Sequence, residues 1–246
     1  MESRRGFALP ELFLGLLAIG VAVVLTAQIF AGTIHDARHV QDTISVTASA
    51  HVPISSNLVR WTLTVSSANA TAAPAARRLR SEVLAVRAFL RSSHVPGPAI
   101  RRSVVTSEAF TVKLPRHRQR TVRRVSQELL VSTNDIDVVE RAAPRVGRLI
   151  ERGVEVAAAP LEYLSTELTE AKLSALAKAT TEARRRADIL VRGLGGKLGR
   201  MRSSSLGVYQ IVPRDSTEVS DYGINDTSTR EKDVVAVVTA SFNVKR

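Results

Sequence analysis

Apolar residues change their spacing along this chain, and each spacing predicts a different kind of element. The first pattern is a run of nineteen uncharged and mostly aliphatic residues, 12–30. Continued as a helix to Ile34, this run would rise about 1.5 Å per residue and cross a hydrocarbon core of about 30 Å. We therefore predict a transmembrane helix over residues 12–34.

Beyond residue 42 apolar and polar positions alternate, which is typical of half-buried strands. Residues 44–52 and 59–65 show this period of two, and they predict two strands joined by a turn, with Trp61 on the apolar face. The spacing then changes to three and four over residues 71–91, which predicts a helix. Four residues share the inward face of that helix: Leu79, Val83, Val86 and Leu90.

The rest of the chain continues this mixture of strands and helices. In order, the pattern predicts strands at 104–105, 109–114 and 125–131, a helix over 136–150 interrupted at Pro144, a strand over 161–168, a helix over 170–192, and strands over 198–212 and 234–244. We expect six residues of the long helix to face inward, and its many alanines to allow close approach of a neighbouring sheet: Leu173, Leu176, Thr180, Ala183, Ala187 and Leu190. We expect the last strand to be central in its sheet. The glycine-rich residues 193–196 predict the end of the long helix.

The strands come mostly in neighbouring pairs, which predicts an α+β fold. We expect an N-terminal transmembrane helix followed by a two-layer domain of mainly antiparallel sheet packed with helices. Four segments follow from this: a cytoplasmic N-terminus over 1–11, the transmembrane helix over 12–34, a tether over 35–42 and an extracytoplasmic domain over 43–246.

Charge around the apolar run predicts its orientation. Arg4 and Arg5 precede the run, and little positive charge follows it at once. The positive-inside rule then keeps the N-terminus in the cytoplasm. We predict a single-pass protein of the cytoplasmic (inner) membrane whose C-terminal domain lies on the extracytoplasmic, or periplasmic, side.

The N-terminus allows two alternatives to a retained anchor. A cleaved signal, including a twin-arginine signal at Arg4 and Arg5, would export the same domain. Gly6, Phe7 and Glu11 also resemble a prepilin leader, which predicts cleavage after Gly6 and a pilin-like subunit.

Composition adds one candidate surface. The net charge is +12, supplied mainly by arginine, and basic residues crowd the turn between the strands at 109–114 and 125–131. Six residues of this basic hairpin are candidate contacts with an anionic surface, either phospholipid or acidic polymer: Lys113, Arg116, Arg118, Arg120, Arg123 and Arg124. Aromatic residues make up only 4% of the chain, which argues against nucleic acid as a partner.

We find no residue set that predicts catalysis. The chain has no cysteine, and the glycine-rich run 193–199 lacks the Ser or Thr of a phosphate loop. His35 and His39 have helical spacing but no evident third metal ligand. We therefore predict no catalytic, cofactor-binding or metal-binding residue, and no enzymatic activity; a small-molecule ligand stays undetermined.

Taken together, residues 42–246 resemble the SIMPL-domain family of bacterial envelope proteins. The resemblance is carried by the order of these segments: 44–50 and 59–63, 126–132 before 134–137, 161–164, the alanine-rich 171–192 leading into 199–201, and the terminal strand. The apolar segment before the first strand is similar to a membrane-anchored branch of that family. The resemblance implies an α+β fold without cofactor, an extracytoplasmic location, homo-oligomers in some members and a role in envelope or oxidative stress.

Our leading expectation is therefore a non-enzymatic, membrane-anchored envelope protein that self-associates. An anionic-surface binding module and a pilin-like subunit are the alternatives.

Overall fold

The computed structural model describes residues 43–113, 115, 119–218 and 220–245. The predicted N-terminal segment 1–11, transmembrane helix 12–34 and tether 35–42 lie outside the described residues, as do Arg116 and Arg118. Within the described ranges no helix is long and apolar enough to cross a membrane.

The described residues form ten strands and four α-helices, with two short 3₁₀ segments at Gly97–Ala99 and Ala143–Val146. In chain order these elements are β1 Thr43–Ser55, β2 Leu58–Asn69, α1 Ala72–Ser92, β3 Ile100–Arg102, β4 Thr106–Lys113, β5 Gln119–Thr133, α2 Ile136–Ala142, α3 Gly147–Glu151, β6 Val156–Ala158, β7 Glu162–Leu164, α4 Leu168–Gly193, β8 Lys197–Leu206, β9 Gln210–Pro213 and β10 Glu231–Lys245. The predicted mixed α+β fold with antiparallel sheets and helices is confirmed.

A six-stranded sheet has the order β3-β5-β2-β6, with β4 also paired to β5 and β7 to β2. The long β2–β5 pair is antiparallel and sets Trp61 opposite Val131 and Leu63 opposite Leu129. The alternation of apolar and polar positions therefore gives this sheet one buried face. Trp61 is buried as predicted, and its indole N–H donates to the carbonyl of Ala159 at 3.1 Å.

Helix α1 covers that buried face. Its inward positions are buried as predicted, and they join β2 and β5 in one hydrophobic cluster: Leu79, Val83, Val86 and Leu90. The break predicted at Pro144 is also confirmed, because the segment between α2 and α3 is a 3₁₀ turn.

A four-stranded sheet has the order β1-β10-β8, with β9 also paired to β10. The last strand is thus central, as predicted. Side-chain contacts between Ser45 and Ser241 and between Thr47 and Thr239 run in opposite directions along β1 and β10, so these strands are antiparallel. The strand predicted over 198–212 is interrupted near Gly207, which donates its N–H to the carbonyl of Val237 at 2.9 Å.

The buried face of α4 agrees with the prediction only in part. Ala183 and Ala187 are buried as predicted and Leu176 packs against the cluster under α4, whereas Leu173 and Leu190 are 56% and 51% exposed and Thr180 is exposed too, so the inward placement of these three is wrong. The buried positions are alanines at four-residue spacing: Ala171, Ala175, Ala179, Ala183 and Ala187. Small side chains let helix and sheet approach closely, and this explains why a stripe of alanine, not scattered leucine, forms the contact.

Three predictions of short elements were also wrong. Residues 104–105 lie outside the strands, and the strand predicted over 161–168 spans only Glu162–Leu164. A strand at Val156–Ala158 was not predicted at all. A strand of three residues contains too few alternating positions for its period to be recognised in the sequence.

The described residues divide into two compact units. The core unit consists of Ala48–Glu182 and Leu206–Val238, and the distal unit of the described residues 43–47, 183–205 and 239–245. Both hydrophobic clusters, one under α1 and one under α4, belong to the core unit.

Candidate functional site

The basic hairpin does not present its predicted contact residues on one surface. Lys113 ends β4, whereas Arg120, Arg123 and Arg124 lie in β5; Arg116 and Arg118 are outside the described residues. The β4–β5 register pairs Arg120 with Val112 and Arg124 with Glu108. Because side chains alternate along a strand, Arg120 and Arg124 share one face, and Arg123 lies on the other.

The face that carries Arg120 and Arg124 holds two further arginines that sequence reasoning missed. Arg60 pairs with Ser132 and Arg101 pairs with Leu130, both at positions facing away from α1. Arg60 and Arg101 line a shallow notch of about 200 Å³. They come from separate strands, so only the pairing register could have brought them together.

Acidic residues partly balance the positive charge of the face that carries Arg120 and Arg124. Glu108 lies opposite Arg124, and Glu162 lies opposite Arg60 with 3.7 Å between its Oε2 and the arginine Nη1. The Arg124 guanidinium also lies over the ring of Phe110, 4.8 Å from its centre. Mixed charge of this kind is typical of a solvated sheet face, and it weakens the attraction for an anionic surface.

A buried lysine marks a polar cluster inside the core unit. Lys232, at the start of β10, is only 2% exposed. Its Nζ donates to the carbonyl oxygens of Tyr163, at 2.7 Å, and of Asp226, and lies 3.9 Å from the Asp226 carboxylate. Burial lowers the pKa of Lys232, and the charge of Asp226 opposes that shift.

Asp226 is held by its own turn. Burial alone would raise the pKa of this carboxyl, but hydrogen bonds from Thr229 and Ser228 and the charge of Lys232 bring the pKa below its usual value. The Ser228 hydroxyl donates at 2.7 Å, and the Ser228 and Thr229 N–H groups donate at 2.9 and 3.2 Å. The carboxylate is therefore ionised and satisfied at neutral pH.

Tyr163 extends this cluster toward helix α2. Its hydroxyl donates to Glu140 at 3.0 Å, and burial followed by that hydrogen bond raises the pKa of Tyr163. Glu140 also accepts from Arg230 at 3.4 Å, and Arg230 donates to Asp137 at 2.7 Å.

Lys232, Asp226 and Tyr163 line a cleft of about 100 Å³. The buried ammonium of Lys232 donates hydrogen bonds to two carbonyl oxygens and lies near a carboxylate counter-ion. This arrangement is typical of a buried charge that links two parts of a fold. Its one sequence signal was a lysine at the start of the most apolar strand.

Metal and phosphate chemistry have little support in the described part of the chain. No group of three His, Asp or Glu side chains there could hold a metal ion. His35 and His39 lie outside the described residues. The glycine-rich run after α4 is a helix end as predicted: Gly195 has φ +79°, and the Gly196 N–H donates to the Val191 carbonyl at 2.9 Å.

The most unusual surface is the edge formed by β1. Among the described strands β1 pairs with β10 alone, and its thirteen residues include no Asp, Glu, Lys or Arg. His51 Nδ1 lies 3.6 Å from the Asp233 carboxylate. The Ser56 N–H donates to the Arg230 carbonyl in the same register that joins Thr47 to Thr239. The backbone N–H and C=O groups of the even-numbered residues of β1 therefore bond to β10. Those of the odd-numbered residues point away from β10.

Two features of β1 agree with this assignment. Pro53, which has no N–H, is at an odd-numbered position, and Arg186 donates to the odd-numbered Thr47 carbonyl at 3.1 Å. No described strand pairs with this outer edge of β1. By contrast, the outer strand β8 carries Lys197, Arg200 and Arg202.

No curated protein matches this chain. A family model described as SIMPL, a protein of unknown function (DUF541), matches residues 44–242, which is more than half of the chain. This match confirms the resemblance drawn from the order of the strands and the alanine-rich helix. The chain belongs to the SIMPL (DUF541) family.

Proposed function

We propose that this SIMPL-family chain is a membrane-anchored envelope protein, of a membrane-anchored branch of the family, that acts by self-association and not as an enzyme. The observation that carries the proposal is the outer edge of β1, which no other described strand pairs and which carries no Asp, Glu, Lys or Arg. Natural sheets guard their edges with charged side chains, proline or very short strands. Pro53 guards one end of β1, whereas residues 43–51 contain neither proline nor such a charge, in a chain of which 24% is charged.

The edge suits a second copy of the same strand. Its outward N–H and C=O groups can extend the sheet by main-chain hydrogen bonds, and two antiparallel copies of β1 would form a symmetric, self-complementary pair. Confinement to a membrane raises the effective concentration of such copies. The interface could therefore be weak in solution and still be occupied in the membrane.

Location is supported by the N-terminal sequence. The uncharged residues 12–30 follow Arg4 and Arg5, which favours an inner-membrane anchor with the domain on the periplasmic side. A role in envelope or oxidative stress is supported by the family resemblance alone. Intact mass of the protein isolated from cells tests the anchor, because a chain beginning at Phe7 would mean pilin-like processing and one beginning near residue 32 a cleaved signal.

Self-association is tested with Ser49→Lys, which places a charge in the middle of the open edge. Two like charges facing each other across paired strands cost up to about 1 kcal/mol, or about fivefold in the dissociation constant. Light scattering of the detergent-solubilised full chain should show fewer oligomers than in the unsubstituted protein. Ser204→Lys, the same change in β8 where charges already lie, is the matched control and should leave oligomers intact.

Two results would contradict the proposal. One is a strictly monomeric unsubstituted chain at every concentration. The other is an oligomer that Ser49→Lys and Ser204→Lys affect equally, since the contact would then lie elsewhere.

A second candidate function is binding of an anionic surface by the basic hairpin. It is favoured by Arg120 and Arg124 sharing one face with Arg60 and Arg101. Glu108 and Glu162 on the same face oppose it. Replacing Arg120 and Arg124 by Ser should weaken binding to anionic vesicles and flatten its dependence on salt if this face is the contact.

A further inference from the structure

The distal unit is far more cationic than the core unit. Its described residues contain a single acidic side chain, Asp188, which is paired with Arg192 at 3.0 Å. Eight basic side chains accompany that one acid: Arg184, Arg185, Arg186, Arg192, Lys197, Arg200, Arg202 and Lys245. A surface with this balance attracts anions.

The same unit exposes large apolar side chains. Leu194 is 86% exposed, Ile189 59%, Leu190 51% and Met201 56%. Ala187 and Val191 occupy the buried side of α4 here, so the neighbouring Ile189 and Leu190 face solvent. Leu194 then projects from the turn after the helix, where Gly195 takes the left-handed conformation that ends it.

These exposed apolar side chains lie at the same end of the distal unit as Thr43, the first residue of β1. The β1–β10 register sets Thr43 opposite Asn243, two residues beyond the contact of Ser45 with Ser241. Gly199 of β8 lies against the same Asn243, so close that a Cβ on it would be 2.8 Å from the Asn243 carbonyl oxygen.

The turn after α4 lies at this end too, because a Cβ on Gly196 would be 3.2 Å from the Lys245 carbonyl oxygen. Leu194 is two residues from Gly196. Thr43, Leu194 and Lys245 therefore belong to one end of the unit.

Chain length links this end to the proposed anchor. Residues 35–42 separate Thr43 from the apolar segment, and eight extended residues span at most about 29 Å. If residues 12–34 cross the bilayer, the end that carries Leu194 stays within about 30 Å of its surface. Basic side chains around exposed leucine are also the chemistry of interfacial membrane contacts.

We propose that this end of the distal unit, centred on Leu190, Leu194, Lys197, Arg200 and Arg202, is a membrane-contacting surface for anionic phospholipid. Leu194 enters the headgroup region, and the cations bind lipid phosphates around it. This proposal rests on the proposed membrane anchor, because the anchor keeps this end of the distal unit near the bilayer. Each cation near an anionic leaflet adds about 1 kcal/mol, or about fivefold in the contact equilibrium.

The absence of cysteine from the chain makes a direct test practical. The full chain is reconstituted in nanodiscs of zwitterionic or partly anionic phospholipid, with a single polarity-sensitive fluorophore on Leu194→Cys. Lipids that carry a quencher in the acyl chain then report contact with the bilayer. Ser205→Cys, exposed in the same unit near the other end of β8, is the matched control, and Val23→Cys reports the anchor itself.

We expect the label at position 194 to be quenched in anionic nanodiscs and much less in zwitterionic ones, while the label at 205 is quenched in neither. Adding Lys197→Ser, Arg200→Ser and Arg202→Ser should reduce the contact equilibrium at 194 about a hundredfold, at about fivefold per charge. The three residues are exposed, and circular dichroism checks that the variant folds.

The outcomes separate this inference from the anchor. Quenching at 23 without quenching at 194 overturns the membrane-contacting surface and leaves the anchor in place. Quenching at 194 without quenching at 23 supports the surface and overturns the anchor. A label at 194 that is shielded from aqueous iodide yet untouched by lipid quencher means that residues 1–42 or a second copy cover Leu194, and it overturns the surface.

Discussion

The two sheets of this protein treat their edges in different ways. In the six-stranded sheet the outer strands β3, β6 and β7 have three residues each, and the longer β4 carries Glu108 and Lys113. In the four-stranded sheet β8 is cationic, but β1 is long and carries no Asp, Glu, Lys or Arg. Short or charged edges resist further pairing, so among the described strands the longest unguarded edge is residues 43–51 of β1, beyond which Pro53 interrupts the edge.

The sheets also differ in what packs on them. The cluster under α1 contains large side chains such as Trp61, Leu63 and Leu129, whereas the α4 side of the other cluster is alanine. Volume filling stabilises the first, and close approach of helix and sheet stabilises the second. The two cores should therefore respond to opposite changes. The first should lose stability when a side chain is shortened, and the second when one is lengthened.

The largest effect should come from shortening Trp61. Trp61→Ala leaves a cavity in the six-stranded sheet and unpairs the Ala159 carbonyl, so we expect the free energy of unfolding to fall by about 3–5 kcal/mol. Urea unfolding followed by circular dichroism measures the loss, and Trp61→Phe should cost clearly less. A loss below about 1 kcal/mol would mean that this core does not depend on volume filling.

Lengthening an alanine of α4 should have the next largest effect. Ala175 is fully buried against the four-stranded sheet, so Ala175→Leu forces helix and strands apart and should cost about 1–3 kcal/mol. Ala177 is exposed on the same helix, and Ala177→Leu is the matched control. Equal stability of the two variants, by the same urea measurement, would show that close approach of α4 does not stabilise this core.

Periodicity predicted the long elements well. Helix α1, with Leu79 to Leu90 inward, and the central strand β10 each contain enough repeats for the period to be unambiguous. The alanine face of α4 was predicted only at Ala183 and Ala187, because leucine contributes more to an apolar pattern than alanine does, although alanine allows the closer contact. Leu190 was thereby assigned to the core, whereas it belongs to the exposed surface of the distal unit.

The candidate surfaces were harder to predict because they depend on pairing. The pattern at β1 indicated a strand, but whether a strand is central or at an edge is a property of the strand order. Arg120 and Arg123 are close in the chain and lie on opposite faces, whereas Arg60 and Arg101 are distant in the chain and share a notch. A run of charge in the sequence therefore predicts charge density but not the surface that carries it.

The smallest effect concerns the tie between the two sheets within the core unit. Lys232 of β10 reaches Tyr163 of β7, and Asp226 holds its ammonium. Asp226→Asn keeps the shape of the turn but removes the counter-ion, so we expect a loss of about 1 kcal/mol near pH 7. Asp221→Asn, which alters an exposed carboxylate, should cost nothing measurable.

The pH dependence of that loss is the sharper observation. The folded state lowers the pKa of Asp226, so the carboxylate stabilises the fold above its unfolded pKa of about 4, and the gain disappears as the pH falls through the folded value. The difference in unfolding free energy between the unsubstituted chain and Asp226→Asn should therefore shrink as the pH falls below about 4 and through the lower folded pKa. A difference that stays constant over this range would mean that the charge of Asp226 does not contribute to the tie between the sheets.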